Sequence, residues 1–142
     1  MVNIKDEIYE WKVVQLMQQP RQVGVVSAAV IKTLGDAAFQ YHAGDIIYIG
    51  DRNLNHIKNK HLSTFLKYHD KISLIISDPD YVGINGEDGS LEYVKVFTDH
   101  VKLAIRVAGD EKLYIRTMFT VFESRTDNFV KSGKLKPLTK EA

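Results

Sequence analysis

NLNHIKNKHLSTFLKYHDKISLIISDPDY, residues 53–81, is the stretch that decides the fold, because a helical periodicity ends within it. Large side chains recur every three or four residues in its first half, at Leu54, Ile57, His61, Phe65 and Tyr68. This spacing predicts one helix over about residues 54–68. Residues 71–77 predict a second, shorter helix. That helix ends before Pro79, because proline disfavours helical geometry at the residue before it.

The sequence on both sides of this stretch is typical of strands. Residues 45–50, DIIYIG, predict a short strand, after which Asp51 or Asn53 caps the first helix. Residues beyond Pro79 change to a period of two, in four runs at 81–85, 91–97, 101–108 and 113–122. Short polar turns separate these runs, and such turns join antiparallel neighbours. The four runs therefore predict a four-stranded antiparallel meander.

The N-terminal part of the chain predicts helices. Apolar residues in 4–19 recur at near-helical spacing, although the valines there also suit a strand over 11–17. Ser27 is a suitable cap for a short helix over residues 28–34, which Gly35 would close.

Together these patterns predict an α+β fold in which N-terminal helices, residues 1–44, pack on the four-stranded antiparallel meander. Residues 1–122 form one domain, and 45–122 supply its strand, two helices and meander. Residues 123–142 are polar and lysine-rich, so we expect a partly disordered tail, disordered beyond Gly133.

Composition excludes several classes of function. The chain has 142 residues, no cysteine and a formal net charge of +1. It therefore has no disulfide framework, no thiolate metal site, no cysteine nucleophile and no global basic field for nucleic acid. No segment approaches the roughly 18 apolar residues that span a bilayer, so we expect a cytoplasmic protein without a membrane partner. Motifs of phosphate-binding loops, serine hydrolases, zinc proteases and EF-hands are absent.

His56 and His61 are the first candidate catalytic residues. A spacing of five separates them by about 140° around a helix, which is poor geometry for a shared metal ion. We therefore expect no metal and no cofactor. From the turn before the helix, His56 can still point into a cleft near His61. The alternative is structural: His56 decorates the helix start and His61 is a hydrogen-bonded residue at the edge of the core.

Arg116 lies in the middle of the last predicted strand, within YIRTMF. An arginine there either lies on an exposed face or reaches a buried partner or ligand. Thr117 points to the opposite face of a regular strand, so only a β-bulge brings both side chains to one site. A neighbouring strand carries Glu92, Tyr93 and Lys95, and any of them can face Arg116.

This set of side chains suits metal-independent cleavage of RNA. A base removes the proton of the ribose 2′-hydroxyl, an acid protonates the leaving oxygen, and a cation stabilises the charge on the phosphate. Histidine suits the first two roles because its pKa lies near neutrality, and arginine suits the third through bidentate contacts.

The order of these elements resembles a known family. A strand (DIIYIG), NHIKNKH at a helix start, the Asp78-Pro79-Asp80-Tyr81 motif and YIRTMF in a final strand resemble the phage-associated branch of the barnase–EndoU–colicin–RelE-like (BECR) nucleases. The resemblance covers about residues 45–122. It implies helices on a four-stranded sheet and ribonuclease activity in phage, mobile-element or toxin contexts.

The resemblance also implies roles for particular residues. His56 and His61 would be the acid and base, Arg116 would bind the phosphate, and Thr117 and Tyr81 would orient the substrate. Lys58 would supply supporting charge. The implied partners are an RNA substrate and a protein inhibitor or antitoxin. Two other hypotheses stay open: a non-catalytic module of the same fold that binds RNA or protein, and a histidine metal site.

Overall fold

A seven-stranded mixed sheet is the centre of our computed structural model, which describes residues 20–139. The strands are β1 (Arg21–Val25), β2 (Ile46–Ile49), β3 (Tyr81–Ile84), β4 (Leu91–Val96), β5 (His100–Val107), β6 (Leu113–Val121) and β7 (Lys136–Pro137). The helices are α1 (Ala28–Leu34), α2 (Asp51–Lys60), α3 (Leu62–Tyr68), α4 (Ile72–Ser77) and α5 (Glu123–Lys131). Short 3-10 turns follow α1 at Gly35–Ala38 and precede α4 at His69–Lys71.

The strand order is β1-β2-β6-β5-β4-β3-β7. Strands β3 to β6 form the predicted antiparallel meander. The prediction of four strands is nevertheless wrong, because β1 and β2 extend the sheet beyond β6 and β7 extends it beyond β3. The three added strands, β1, β2 and β7, are five, four and two residues long. The sequence predicts β2, as a short strand over residues 45–50, but not its place in the sheet; β1 and β7 are too short to show a clear alternation, so their neighbours in the sheet define them.

Within residues 20–44 the expected helical part is only partly present. Residues 21–25, expected among the helices, form β1 instead. Helix α1 is as predicted: the Ser27 Oγ accepts a hydrogen bond of 3.1 Å from the Val30 N–H, and Gly35 ends the helix with a positive φ of 58°. The helix predicted over residues 4–19 lies outside the described residues.

The segment that follows the meander is structured up to residue 139. It contains α5 and then β7, which pairs with β3, so the expectation of disorder beyond Gly133 does not hold there. Leu135 is 2% exposed and anchors the segment. The close approach requires a glycine at position 83, because a Cβ there would collide with the Lys134 carbonyl oxygen. One buried leucine in a lysine-rich context is too weak a sequence signal to predict this docking.

The predicted helix over residues 54–68 is two helices, α2 and α3, which meet at His61. His61 has a non-helical backbone, with φ −138° and ψ 56°. Its N–H still donates to the Ile57 carbonyl at 2.7 Å, and its carbonyl accepts from the Phe65 N–H at 2.9 Å. Hydrogen bonding therefore continues through the break while the side chain leaves the helical face. The regular apolar spacing of the sequence continues across this position, which is why the break is not predicted.

Strand β6 carries a β-bulge at Arg116. Ile105 pairs with Ile115 but Ala104 pairs with Thr117, so Arg116 is the extra residue. Strand β2 is parallel to β6 and pairs only as far as Tyr114. The chain then enters α2, which packs along β6 beyond that point. The bulge thus lies where a strand neighbour is replaced by a helix neighbour.

Candidate active site

A cleft of about 400 Å³ lies between α2 and the bulge of β6. Its lining residues are Arg52, Asn53, His56, His61, Arg116 and Thr117. All four residues predicted as catalytic are therefore in one place. The bulge that this arrangement requires is present, because an extra residue at position 116 lets consecutive side chains reach the same side of the strand. Their catalytic roles stay predictions.

The two histidines lie next to each other. Their ring centroids are 6.4 Å apart and the rings are close to perpendicular, at 75°. His61 also packs on Phe119 of β6, with centroids 5.4 Å apart. Burial lowers the pKa of His61 below its ordinary value, and the positive charges of His56 and Lys60 lower it further. The neutral form of the His61 imidazole, which can accept a proton, is therefore favoured.

Arg116 has a protein partner that the sequence analysis missed. Its Nη1 donates a hydrogen bond to the Oδ2 of Asp88, in the turn between β3 and β4. Burial acts to raise the pKa of Asp88, but the N–H of Ser90 and the charge of Arg116 outweigh it and hold the pKa below its ordinary value. Residues 86–89, GEDG, indicate only a turn, so no local signal in the sequence connects Asp88 with Arg116.

Thr117 presents an unpaired hydroxyl. Its Oγ1 is buried, and among the described residues no protein atom forms a hydrogen bond with it. Buried polar atoms are nearly always hydrogen-bonded in folded proteins. A ligand in the cleft can reach this oxygen only if the Thr117 side chain rotates towards it.

Two cleft residues, Arg52 and Asn53, were not predicted as site residues. The Asn53 Oδ1 accepts a 2.9 Å hydrogen bond from the Gly50 N–H, which fixes the start of α2. Arg52 adds a second cation to the lining of the cleft. In the sequence, Arg52 and Asn53 lie in the segment DRN between the predicted strand and helix. This segment indicates only a helix cap, and Asn53 provides that cap from the first turn of the helix.

The structure places the three residues expected to bind substrate outside the cleft. Tyr93 is fully buried in the core, so the expectation that it contacts substrate is wrong. Its strand position pairs it with Leu103 and turns it to the helix-covered face. Lys58 is exposed on α2, two residues and so about 200° from His56 around the helix. Tyr81 lies on β3, three strands and so about 14 Å from β6.

No set of three or more histidine or carboxylate side chains is close enough to hold a metal ion within residues 20–139. Over the same residues, no helix has the length and apolar character needed to cross a membrane.

The comparisons with known proteins identify the family of the chain. A protein-family model described as phage-Barnase-EndoU-ColicinE5/D-RelE like nuclease3 matches residues 21–128, most of the chain. The match confirms the family resemblance inferred from the sequence motifs, and such nucleases act on nucleic acid. No curated protein and no solved structure matches the chain.

Proposed function

Because the chain belongs to the family of phage-associated nucleases described as phage-Barnase-EndoU-ColicinE5/D-RelE like nuclease3, we propose that it is a metal-independent endoribonuclease. The observation that carries the proposal is the convergence of two histidines, Arg116 and Thr117 on one cleft through the bulge in β6.

His61 is the general base of the proposed reaction. Its lowered pKa keeps the imidazole neutral at pH 7, so it can take the proton of the ribose 2′-hydroxyl. The resulting oxygen attacks the adjacent phosphorus and the bond from phosphorus to the 5′-oxygen breaks. The products are a 2′,3′-cyclic phosphate and a free 5′-hydroxyl.

His56 is the complementary acid. It lies beside His61 on the exposed side of the cleft, and the proton it supplies goes to the departing 5′-oxygen. The 6.4 Å between the ring centroids leaves room for a phosphate group to contact both imidazoles. A positioned acid–base pair of this kind accelerates reactions by about 10²–10⁴-fold per group.

Arg116 and Thr117 bind the phosphate. A guanidinium has five N–H donors and Asp88 uses one of its nitrogens, so Arg116 can stay bound to Asp88 while it donates to phosphate oxygens. The Thr117 hydroxyl, which is buried and has no partner among residues 20–139, adds one donor when its side chain rotates into the cleft that the residue lines. Donors that are held in place before the charge develops are the most effective in catalysis.

The test is cleavage of total RNA and of a defined oligoribonucleotide by the purified protein in the presence of EDTA. We expect cleavage, a 2′,3′-cyclic phosphate terminus and no cleavage of the matching 2′-deoxy oligonucleotide. His61→Ala and His56→Ala should each reduce the rate by about 10²–10⁴-fold. His42→Ala removes an exposed histidine outside the cleft and is the matched control, which should leave the rate unchanged. Intact RNA after incubation with folded wild-type protein would refute the proposal.

A second candidate is a non-catalytic module that binds RNA or protein. The observation that favours it is the Arg116–Asp88 ion pair, because an arginine already engaged by a carboxylate can have a purely structural role. This candidate predicts that RNA binds with measurable affinity but is recovered intact, and that His61→Ala leaves binding unchanged.

In its biological setting we propose that the nuclease is a phage or mobile-element toxin or effector, which acts on RNA in the cytoplasm and is held in check by a protein inhibitor. The proposal rests on the phage-associated family. Expression in a bacterial host should arrest growth and deplete RNA, and His61→Ala should relieve both effects. Growth that is unaffected by wild-type expression would contradict the toxin role.

A further inference from the structure

A second and larger cavity adjoins the active-site cleft. Its volume is about 770 Å³, and Arg52 and Asn53 line both cavities. It extends along β6 towards Tyr114, which lies three residues and so about 10 Å before Thr117. A strand of nucleic acid whose phosphate lies at His61 and Arg116 would therefore continue past Arg52 into this cavity. We refer to it as the Tyr114 cavity.

An aromatic ring forms one wall of the Tyr114 cavity. The Tyr114 ring lies 5.9 Å from the Tyr48 ring, centroid to centroid and tilted by 37°, and the Lys112 Nζ lies 5.3 Å from the Tyr48 ring centroid. The Tyr114 hydroxyl donates a 2.7 Å hydrogen bond to the Asp110 Oδ2. The Tyr114 ring is thus held by packing on Tyr48 and by the hydrogen bond of its hydroxyl. A ring fixed in this way is a suitable stacking surface for a nucleobase, because it loses little freedom on binding.

The polar groups of the cavity fit a base better than a phosphate. Asp110 and Asp51 both line it, and two carboxylates repel an anion. The Tyr114 hydroxyl and the Lys112 N–H hold the pKa of Asp110 below its ordinary value, so the carboxylate is ionised and only accepts hydrogen bonds. Each of its oxygens has one protein donor and can accept a second. The cation, Arg52, lies at the boundary with the active-site cleft, where a linking phosphate would pass.

We propose that the Tyr114 cavity binds the base of the nucleotide next to the scissile phosphate. The base stacks on Tyr114, its exocyclic amino group donates to Asp110, and its phosphate contacts Arg52. The site therefore prefers single-stranded nucleic acid with an amino-bearing base, adenine, cytosine or guanine, over uracil at that position. This deepens the proposed nuclease function, because it assigns a specificity site beside the same reaction centre.

The test is binding of fluorescently labelled 2′-O-methyl oligonucleotides of four residues, measured by anisotropy. The methyl group blocks attack by the 2′-oxygen, so binding is measured without cleavage. Oligo(A) and oligo(C) should bind the wild-type protein more tightly than oligo(U). Tyr114→Ala should weaken binding of oligo(A) by about 5- to 100-fold, which corresponds to one stacked base. Phe122→Ala removes an aromatic side chain that is 83% exposed and outside the cavity, and should leave binding unchanged.

Asp110→Asn tests the hydrogen-bonding part separately and lies in an exposed turn where folding tolerates change. It should reduce the preference for oligo(A) over oligo(U), whereas Asp127→Asn, an equal charge change on α5, should not. The proposal fails if folded Tyr114→Ala binds like wild type, or if wild-type protein binds oligo(U) as tightly as oligo(A). If the protein prefers oligo(A) to oligo(U) but does not cleave RNA, the ribonuclease proposal alone is refuted. If it cleaves RNA but shows no such preference, the base site alone is refuted.

Discussion

Arg116 of β6 and Asp88 of the β3–β4 turn form an ion pair that passes over β5, although 28 residues separate them in the chain. The pair ties the phosphate-binding candidate of the cleft to a turn beyond the neighbouring strand β5. About half of the Arg116 side chain and a quarter of the Asp88 side chain are exposed, so the pair remains reachable by a competing anion.

Asp88→Asn should lower the stability of the protein at pH 7, and the loss should be smaller at pH 3. The pKa of Asp88 is lower in the folded protein than in the unfolded chain. Its contribution is therefore present above the unfolded value, near about pH 4, and is lost as the pH falls through the folded value. Urea unfolding at the two pH values measures the effect, with the exposed Asp127→Asn as control. An equal loss at both pH values would exclude the ion pair as its cause.

The pKa of His61 should lie below that of an unperturbed histidine and should rise in His56→Ala. Burial is the largest cause of the lowering, and the charge of His56 is the next. Removing His56 removes the second cause and leaves the first. NMR titration of the His61 ring proton in both proteins checks this, with His42→Ala as the control that should leave the His61 midpoint in place.

The same shift predicts a pH dependence of stability. Because the folded pKa of His61 is lowered, the unfolded chain binds more protons as the pH falls below about 6.5, and the folded state loses stability between that value and the folded pKa. His61→Ala should remove this part of the pH dependence. A curve of unfolding free energy against pH that is unchanged by His61→Ala would contradict the shift.

Arg116→Lys should reduce kcat/KM by about 10- to 100-fold, although the charge is kept. A lysine cannot donate to Asp88 and to two phosphate oxygens with the fixed fork geometry of a guanidinium. The loss corresponds to one charge-assisted hydrogen bond of about 1.5–3 kcal/mol. Arg125→Lys, on the exposed side of α5, is the matched control. Full activity in Arg116→Lys would show that the forked contact is not used.

Gly83→Ala should destabilise the protein and release the segment that contains β7. The new Cβ collides with the Lys134 carbonyl oxygen, and backbone atoms yield less readily than side chains. We expect a loss of about 1–3 kcal/mol in the free energy of unfolding. Faster proteolysis at the Lys134–Lys136 segment should accompany it. Gly86→Ala is the control, because nothing lies within 4 Å of its Cβ position.

The sequence predicts those parts of the fold that depend on local chemistry. The change from helix to strand at Pro79, the meander and the caps of α1 at Ser27 and Gly35 all follow from neighbouring residues. Parts that depend on distant partners were missed. The break at His61 preserves the hydrogen-bonding pattern of the helix, and β7 exists only because Leu135 docks beside β3.

The residues of the candidate site also fall into two groups: those that the sequence shows and those that depend on distant partners. The sequence selected His56, His61 and Arg116 as candidates because their chemical types suit phosphodiester cleavage, and the family resemblance added Thr117. The structure lines one cleft with all four, and their catalytic roles stay predictions. Tyr93 was misplaced because only the pairing with β5 shows which face it occupies. Asp88 lies in a turn whose partner, on β6, becomes a neighbour only when the sheet forms.

The bulge at Arg116 can be removed by deleting one residue. On its core side β6 presents Leu113, Ile115 and Met118, and one residue too many lies between the last two. Deleting Arg116 would restore strict alternation through this strand without moving any of these three out of the core. The deletion would remove a phosphate-binding side chain and its ion pair with Asp88 and leave His56 and His61 in place, so we expect a folded protein of reduced activity and stability.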